Sequence, residues 1–242
     1  MSTLHRFIVD DIALKPGPLA LSAHDFPELF HQLTRVLRAK PGATCLLLDG
    51  KGTRAHGTIV TITKKEVALE MTQVETQEES GIRLSLGLPL LKLSHVETAI
   101  SMCTQLGVDH FFFVQSDHTV KEQLPLLSST TKQTRLCTLA REACEQSERL
   151  YLPSFDFAIH PLRDLRLDET FCVAVERQQK KEPVMVTGQN IRTLLIGPEG
   201  GWSEKEKTLF QTKRVSLLDL GSTILRAETA AVVGSFKVLN NI

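Results

Sequence analysis

Apolar positions recur at two different periods in the two parts of the chain. In the N-terminal part they come in short runs broken by turn residues: Leu4–Val9, Thr44–Leu48, Ala55–Ile62 and Val67–Met71. Such runs predict short strands. Asp49-Gly50-Lys51-Gly52 separates two of them and reads as a turn, because glycine tolerates positive φ. Phe26–Arg38 has the spacing of a short helix, which Pro41-Gly42 should end. Together these elements predict a small module resembling a β-barrel.

Composition and turn signals shift near Glu78 to Gly81, which sets expected domains at 1–77 and 78–242. Beyond this point strands alternate with helices. Ile82, Leu84, Leu86 and Leu88 repeat every second residue, as in a strand. Val96, Ala99, Ile100, Cys103 and Leu106 repeat at helical spacing, and Gly107 stops the run. Phe111–Val114 reads as a buried strand, and Leu136, Leu139, Ala140, Ala143 and Cys144 fit one helix face. Phe171–Val175, Arg192–Ile196 and Val215–Leu220 are expected strands, and Thr229–Leu239 a last helix. Strand–helix alternation of this kind implies an α/β layer with a parallel sheet. In Arg141–Arg149, Glu142, Gln146 and Arg149 share a helix face, and Glu145 and Arg149 are i,i+4 partners, which reads as a solvated face.

Composition narrows the class. The 242 residues are 42% hydrophobic and 23% charged, ordinary values for a globular chain. No apolar run reaches the roughly 18 residues of a membrane helix, and Met1–Asp10 lacks the apolar core of a secretory signal. Lys plus Arg and Asp plus Glu both number 28, which weighs against attachment to nucleic acid by bulk charge. The balance is uneven, however. The first 65 residues hold nine bases against five acids, and Glu66, Glu70, Glu75, Glu78 and Glu79 follow with no base among them. The five cysteines (Cys45, Cys103, Cys137, Cys144, Cys172) form no C-x-x-C pair and read as reduced, buried thiols of a cytosolic protein. The eight histidines show no metal-binding spacing, so no metal is expected, and there is no G-x-S-x-G nucleophile turn.

Two stretches carry candidate chemistry. In Leu194–Glu206 an apolar strand runs into Gly197-Pro198-Glu199-Gly200-Gly201, and Ser203 with Glu206 forms a capping box that starts a helix. A strand, a glycine loop and a capped helix build ligand pockets at the carboxyl ends of parallel strands. No lysine follows the glycines, as a P-loop requires, and Glu199 would repel a phosphate, so a neutral or cationic ligand is expected. The alternative is a tight turn with no ligand. In the second stretch, Leu220–Ala230, Gly221 turns the chain after a strand, Ile224 and Leu225 could wall a flat ring, and Arg226 places a fixed cation beside it. The alternative there is a plain helix start, with Glu228 favouring the helix dipole.

Taken together, Gly197-Pro198-Glu199-Gly200-Gly201 and Leu220-Gly221-x-x-Ile224-Leu225-Arg226-x-Glu228-Thr229-Ala230 resemble the RsmE family of small-subunit ribosomal RNA uridine-N3 methyltransferases. Arg6-Phe7, His31 with Val36-Leu37-Arg38, Pro41-Gly42, Asp49-Gly50 and Glu142–Arg149 resemble further stretches of that family, so the likeness runs from about Arg6 to Lys237. It implies an α/β protein with a PUA-like β-barrel that holds RNA and a C-terminal SPOUT domain with a trefoil knot, acting as a cytoplasmic homodimer on small-subunit (16S) ribosomal RNA, expected in the assembled subunit. S-adenosylmethionine is the implied cofactor. By position it would meet Ile196, Gly197, Pro198, Glu199, Gly200 and Gly201, and then Leu220, Gly221, Ile224, Leu225 and Arg226. The implied catalytic residues are Arg226, which would stabilise charge on the uracil oxygens, and Glu228 or Glu199, which would take the N3 proton or only orient Arg226. Arg6, His31, Arg35 and Arg38 would contact RNA.

The chain departs from the family pattern in places. Met102 and Gln105 stand where a lysine and a glutamate are usual, Asp117-His118 where an arginine and a serine are, and Glu176-Arg177 where a His-Pro-like step is. Two other readings stay open: a SPOUT methyltransferase acting on ribose oxygens or transfer RNA, and a non-catalytic ribosome-binding relative.

Overall fold

The computed structural model describes residues 4–10, 12–78, 84–120, 127–175 and 191–242. The chain forms two units, one of Met1–Ser80 with Cys144–Leu152 and one of Gly81–Ala143 with Pro153–Ile242. The return of Cys144–Leu152 to the first unit follows from no change in local sequence pattern.

The first unit holds β1 (His5–Ile8), β2 (Gly17–Ser22), α1 (Pro27–His31), β3 (Thr44–Leu48), β4 (Thr53–Ile62) and β5 (Glu66–Thr76). Its sheet runs β1-β3-β4-β5-β2. β1 lies parallel to β3, and every other pair is antiparallel. Leu21, Leu47, Ile59, Val67 and Leu69 face a common core with Leu33. Alternate residues of β4 and β5 point away from it, as expected of strands with one buried face. β2 was not legible in the sequence: Pro18 breaks the pattern, but on an edge strand a missing N–H costs no ladder bond.

The helix expected over Phe26–Arg38 is not continuous. An α-helical turn, Pro27–His31, widens into a π turn over Gln32–Val36, where Leu37 N–H donates to Gln32 O at 2.9 Å. The chain leaves this turn at Arg38, in left-handed conformation (φ 48°). Pro41-Gly42 is therefore not what stops it.

The second unit is built on β6 (Ser85–Pro89), α2 (Leu93–Leu106), β7 (His110–Gln115), α3 (Thr130–Ser147), β8 (Ser154–Pro161), β9 (Phe171–Val175), β10 (Thr193–Leu195), α4 (Glu204–Thr212), β11 (Ser216–Asp219) and α5 (Ala227–Asn240). The six strands run β11-β9-β10-β6-β7-β8, and every pair is parallel. Ile82, expected to open the β6 pattern, lies outside the described residues. β8 was not foreseen either; Phe155, Phe157 and Ile159 alternate along it with Ser154, Asp156, Ala158 and His160.

The middle of the sheet is buried on both faces, which is why strands such as β7 and β9 read as unbroken apolar runs. Leu86, Phe111, Phe113, Cys172 and Leu194 face one core with α2 and α5. Phe112, Val114, Val173 and Leu195 face the other, with Trp202 and Phe210. α3 ends at Ser147, and Glu148 takes a left-handed φ of 61°. Arg149 therefore lies beyond the helix, which corrects the expected face of Glu142, Gln146 and Arg149. Glu145 is not simply solvated, because its Oε1 accepts the Ile8 N–H at 2.8 Å. Cys45, Cys103, Cys144 and Cys172 are buried, whereas Cys137 is exposed. Burial pushes the Cys45 thiol up to about 11 and those of Cys103 and Cys172 up to about 12.

Gly87 is the tightest point of the central sheet. A Cβ there would lie 2.5 Å from Leu195 Cδ2 and 2.7 Å from Phe112 Cζ. Gly87→Ala should therefore lower unfolding free energy in urea by about 1–3 kcal/mol, the cost of overpacking a filled core. An unchanged midpoint would mean that this face has slack.

Candidate active site

β10 ends in the glycine loop. Ile196 carries on the strand, donating its N–H to Gly87 O at 3.0 Å. The chain then turns so that Gly201 N–H donates to Pro198 O at 2.9 Å, with Gly201 at φ 68°, where a side chain would be strained. Trp202 folds back over Gly197, whose hypothetical Cβ would be 3.0 Å from the indole nitrogen. That nitrogen donates to Ala174 O at 2.9 Å, and the ring meets Phe210 edge-on at 5.1 Å. Trp202 thus ties the loop to β9 and to α4.

The expected capping box forms: Ser203 Oγ accepts the Glu206 N–H, and Glu206 Oε2 accepts the Ser203 N–H at 2.7 Å. Glu206 is buried, and its other oxygen accepts the Asp117 N–H at 2.9 Å. Ser203 Oγ donates to Asp117 Oδ2 at 2.6 Å. Beside them, His118 Nδ1 lies 3.0 Å from Gly200 O and 2.9 Å from Gly201 O. Both carbonyls can only accept, so Nδ1 carries the hydrogen. Asp117-His118, a departure from the family pattern, therefore clamps the glycine loop.

The second loop follows β11. Asp219 Oδ1 accepts the Gly221 N–H at 2.8 Å, and Lys237 Nζ, in the last turn of α5, donates to Asp219 O at 2.9 Å. Leu225 packs on the core below, while Ile224 is 80% exposed. Arg226 is the N-cap residue of α5 but makes no side-chain cap bond. Its guanidinium is exposed and forms no ion pair with the described residues. Glu228 sits in the first turn of α5 with its side chain only 13% exposed.

A cavity of about 600 Å³ lies between the two loops. This is the size of a small-molecule site. Ile196, Gly197, Pro198, Glu199 and Gly201 line it from the first loop, and Leu220, Gly221, Ile224, Leu225 and Arg226 from the second. Gly200 is not in the wall; its carbonyl is turned to His118. Glu228 is not in the wall either, but its Oε2 stands 3.6 Å from Nδ1 of His95, which is.

The sequence alone did not single out Lys92 and His95, which line the cavity from the start of α2. No local motif marks them. They reach the site because β6 lies beside β10, a fact of strand order. Ala174 and Val175 come in at the end of β9, while Glu176-Arg177 lies outside the described residues. No cluster that could hold a metal occurs among the described residues.

The expected RNA-contacting residues all belong to the first unit. His31, Arg35 and Arg38 are exposed along α1 and the π turn. Arg6 differs, since it is half-buried on β1 and paired with Glu148. Its charge is thus locally compensated.

Residues 78–236 match the RNA methyltransferase domain, and residues 28–72 match the RNA methyltransferase PUA domain. The chain belongs to the RNA methyltransferase family. Its mixed N-terminal sheet is accordingly a PUA domain, and the parallel sheet belongs to the methyltransferase domain. The resemblance to RsmE also holds. The ribosomal RNA small subunit methyltransferase E of Synechocystis sp. is 30% identical over 225 residues, covering 84% of this chain and 68% of the relative. The protein of the same name from Rickettsia conorii is 27% identical over 219 residues, covering 86% and 85%. The fold of the Neisseria gonorrhoeae enzyme of that name, solved bound to S-adenosyl methionine, superposes with a TM-score of 0.76 at 21% identity, covering 98% of each chain.

Glu206→Ala would leave the Asp117 and Ser203 amides without their carboxylate acceptor. It should cost about 1–3 kcal/mol in urea unfolding, the penalty for unsatisfied buried donors. Glu206→Gln, which keeps one acceptor oxygen, should cost less. Equal stability of the Ala variant would show that the clamp carries no load.

Proposed function

We propose that the protein methylates N3 of a uridine in small-subunit (16S) ribosomal RNA, using S-adenosylmethionine. The observation that carries this reading is the cavity itself, walled by the two loops that the sequence marks out, within a chain of the RNA methyltransferase family. The residues fit such a donor. Ile196, Leu220 and Leu225 offer apolar flanks for a heterocycle, and the glycine loop offers backbone at close range. The carboxylate of Glu199 at the rim suits a cationic sulfonium. When bound, the cofactor supplies a methyl group on a positively charged sulfur, activated without a metal.

The protein's own work is to orient the uridine and manage its proton. Holding N3 in line with the methyl is an orientation effect. N3 is a poor nucleophile while it keeps its hydrogen, so a base must take that proton as negative charge spreads to the uracil oxygens. Glu228 is the proposed acceptor, with Glu199 as the other carboxylate in reach of the site. Arg226, exposed at the rim and unpaired among the described residues, is proposed to stabilise the oxygen charge. The PUA domain is proposed to grip phosphates through Arg35 and Arg38, with His31 nearby in sequence and Arg6 on β1 as further contacts.

The wider reading includes domain limits at 1–77 and 78–242, a trefoil knot in the C-terminal SPOUT domain, a homodimer, a cytoplasmic location and recognition of the assembled small subunit. No described helix is long and apolar enough to cross a membrane. A buried target base would have to be exposed or flipped to reach the cavity.

Mass spectrometry of ribosomal RNA from small subunits incubated with the protein should show one new N3-methyluridine. Arg226→Ala should cut that transfer at least about a hundredfold, while calorimetric affinity for S-adenosylmethionine stays within about tenfold. Methylation of a ribose oxygen, or none, would contradict the reading. Equal loss of donor binding and turnover would move Arg226 from catalysis to cofactor binding. Arg38→Ala should weaken RNA binding and flatten its salt dependence without changing donor affinity, because it removes one phosphate contact. Unchanged RNA affinity would take Arg38 out of the interface.

A further inference from the structure

One group at the cavity has no role in the account above. His95 Nδ1 is buried and has no hydrogen-bond partner among the described residues. Buried nitrogens are seldom left this way, because an unmade hydrogen bond carries the full cost of desolvation. The atom points to two carboxylates that it does not quite reach, Glu228 Oε2 at 3.6 Å and Glu199 Oε1 at 3.9 Å. Those acids come from different elements, α5 and the glycine loop, while His95 comes from the first turn of α2. Glu228 is 13% exposed and the His95 side chain 27%, so the imidazole is the more solvent-connected of the two. Among the described residues, the other charged groups that line the cavity are Lys92, just before α2, and Arg226, just before α5.

We infer that His95 is a positioning residue for the departing proton: it acts through Glu228 and carries the N3 proton of the target base from the cavity to water. The inference rests on the uridine-N3 reading. In the step, the N3–H bond breaks, and its electron pair stays on the pyrimidine ring. The proton passes to a Glu228 oxygen and then to Nδ1 of His95, while the ring releases the proton on Nε2 to solvent. The ring electron pair forms the new N–CH₃ bond as the donor's S–CH₃ pair returns to sulfur, leaving a neutral thioether. A carboxylate alone in this half-closed place would have to release each proton by itself. The distances to Glu228 and Glu199 close to hydrogen-bond length by a shift of less than about 1 Å. The proposed relay therefore needs no rearrangement of the fold.

The test is single-turnover methylation of whole small subunits from about pH 5.5 to 8.5, for the wild type and His95→Gln, with His95 ring titration followed by NMR in the free protein. In the wild type the rate should break and fall toward acid pH, because a protonated imidazole cannot accept. The NMR midpoint should coincide with that break. His95→Gln keeps size and polarity but cannot relay. It should lose the break and cut kcat at least about tenfold, with KM for subunits and the heat of S-adenosylmethionine binding unchanged. A glutamine variant with the wild-type rate and break would overturn the inference and leave the uridine-N3 reading standing. So would a wild-type break that does not match the NMR midpoint, a result that decides the matter even if the variant fails to fold. Absence of uridine methylation by the wild type would overturn the functional reading, and the inference with it.

Discussion

The hydrogen bonds that seat β10 between β9 and β6 position everything else at the site. Because all three strands are parallel, their carboxyl ends lie at the same edge of the sheet. From β6 the chain builds outward through β7 and β8, then crosses back to lay down β9 and fill the gap with β10. This reversal of direction opens a crevice at the strand ends. The glycine loop leaves β10 directly into it, and the start of α2 and the end of β9 flank it. Without that insertion His95 would have no reason to face Glu228, since 133 positions separate them in the numbering of the chain.

A second constraint keeps the loop in shape. A loop that must present its backbone to a ligand cannot rely on its own side chains for rigidity, and glycines supply none. The rigidity comes from neighbours. Trp202 donates to Ala174, His118 holds two loop carbonyls, and the buried Glu206 joins the α4 cap to Asp117. The result is a preorganised surface beside a cavity lined, among the described residues, by one acid, Glu199, and one arginine, Arg226, while Glu228 stands behind the wall. In the proposed reaction that division of labour is useful: fixed backbone holds the donor, and titratable groups handle the proton and the charge.

How much of this could be read from the chain varies element by element. Several of the second unit's strands were legible because burial on both faces makes them continuous apolar runs, as in Phe111–Val114 and Phe171–Val175. The capping box at Ser203 and Glu206 was legible because its signal is local. β2 and β8 were not, since edge strands tolerate proline and polar residues. The break of the first helix into a π turn, which carries the buried Leu33, was hidden too, because no local signal in Phe26–Arg38 marks it. At the site, both loops were visible as motifs, and ten of their residues do line one cavity. Lys92, His95 and the Asp117-His118 clamp were invisible as site residues, because their roles depend on which strands become neighbours. Asp117-His118 read only as a departure from a family pattern, yet in the fold His118 holds two carbonyls of the glycine loop.

The most direct measurement of the central claim is a crystal structure of the protein with S-adenosylmethionine. The account predicts the donor in the cavity between the glycine loop and the Leu220–Arg226 loop, with its heterocycle against Ile196, Leu220 or Leu225 and its sulfur open toward Arg226 and Glu228. A donor seated elsewhere, or a cavity closed by its own side chains at saturating donor, would contradict it.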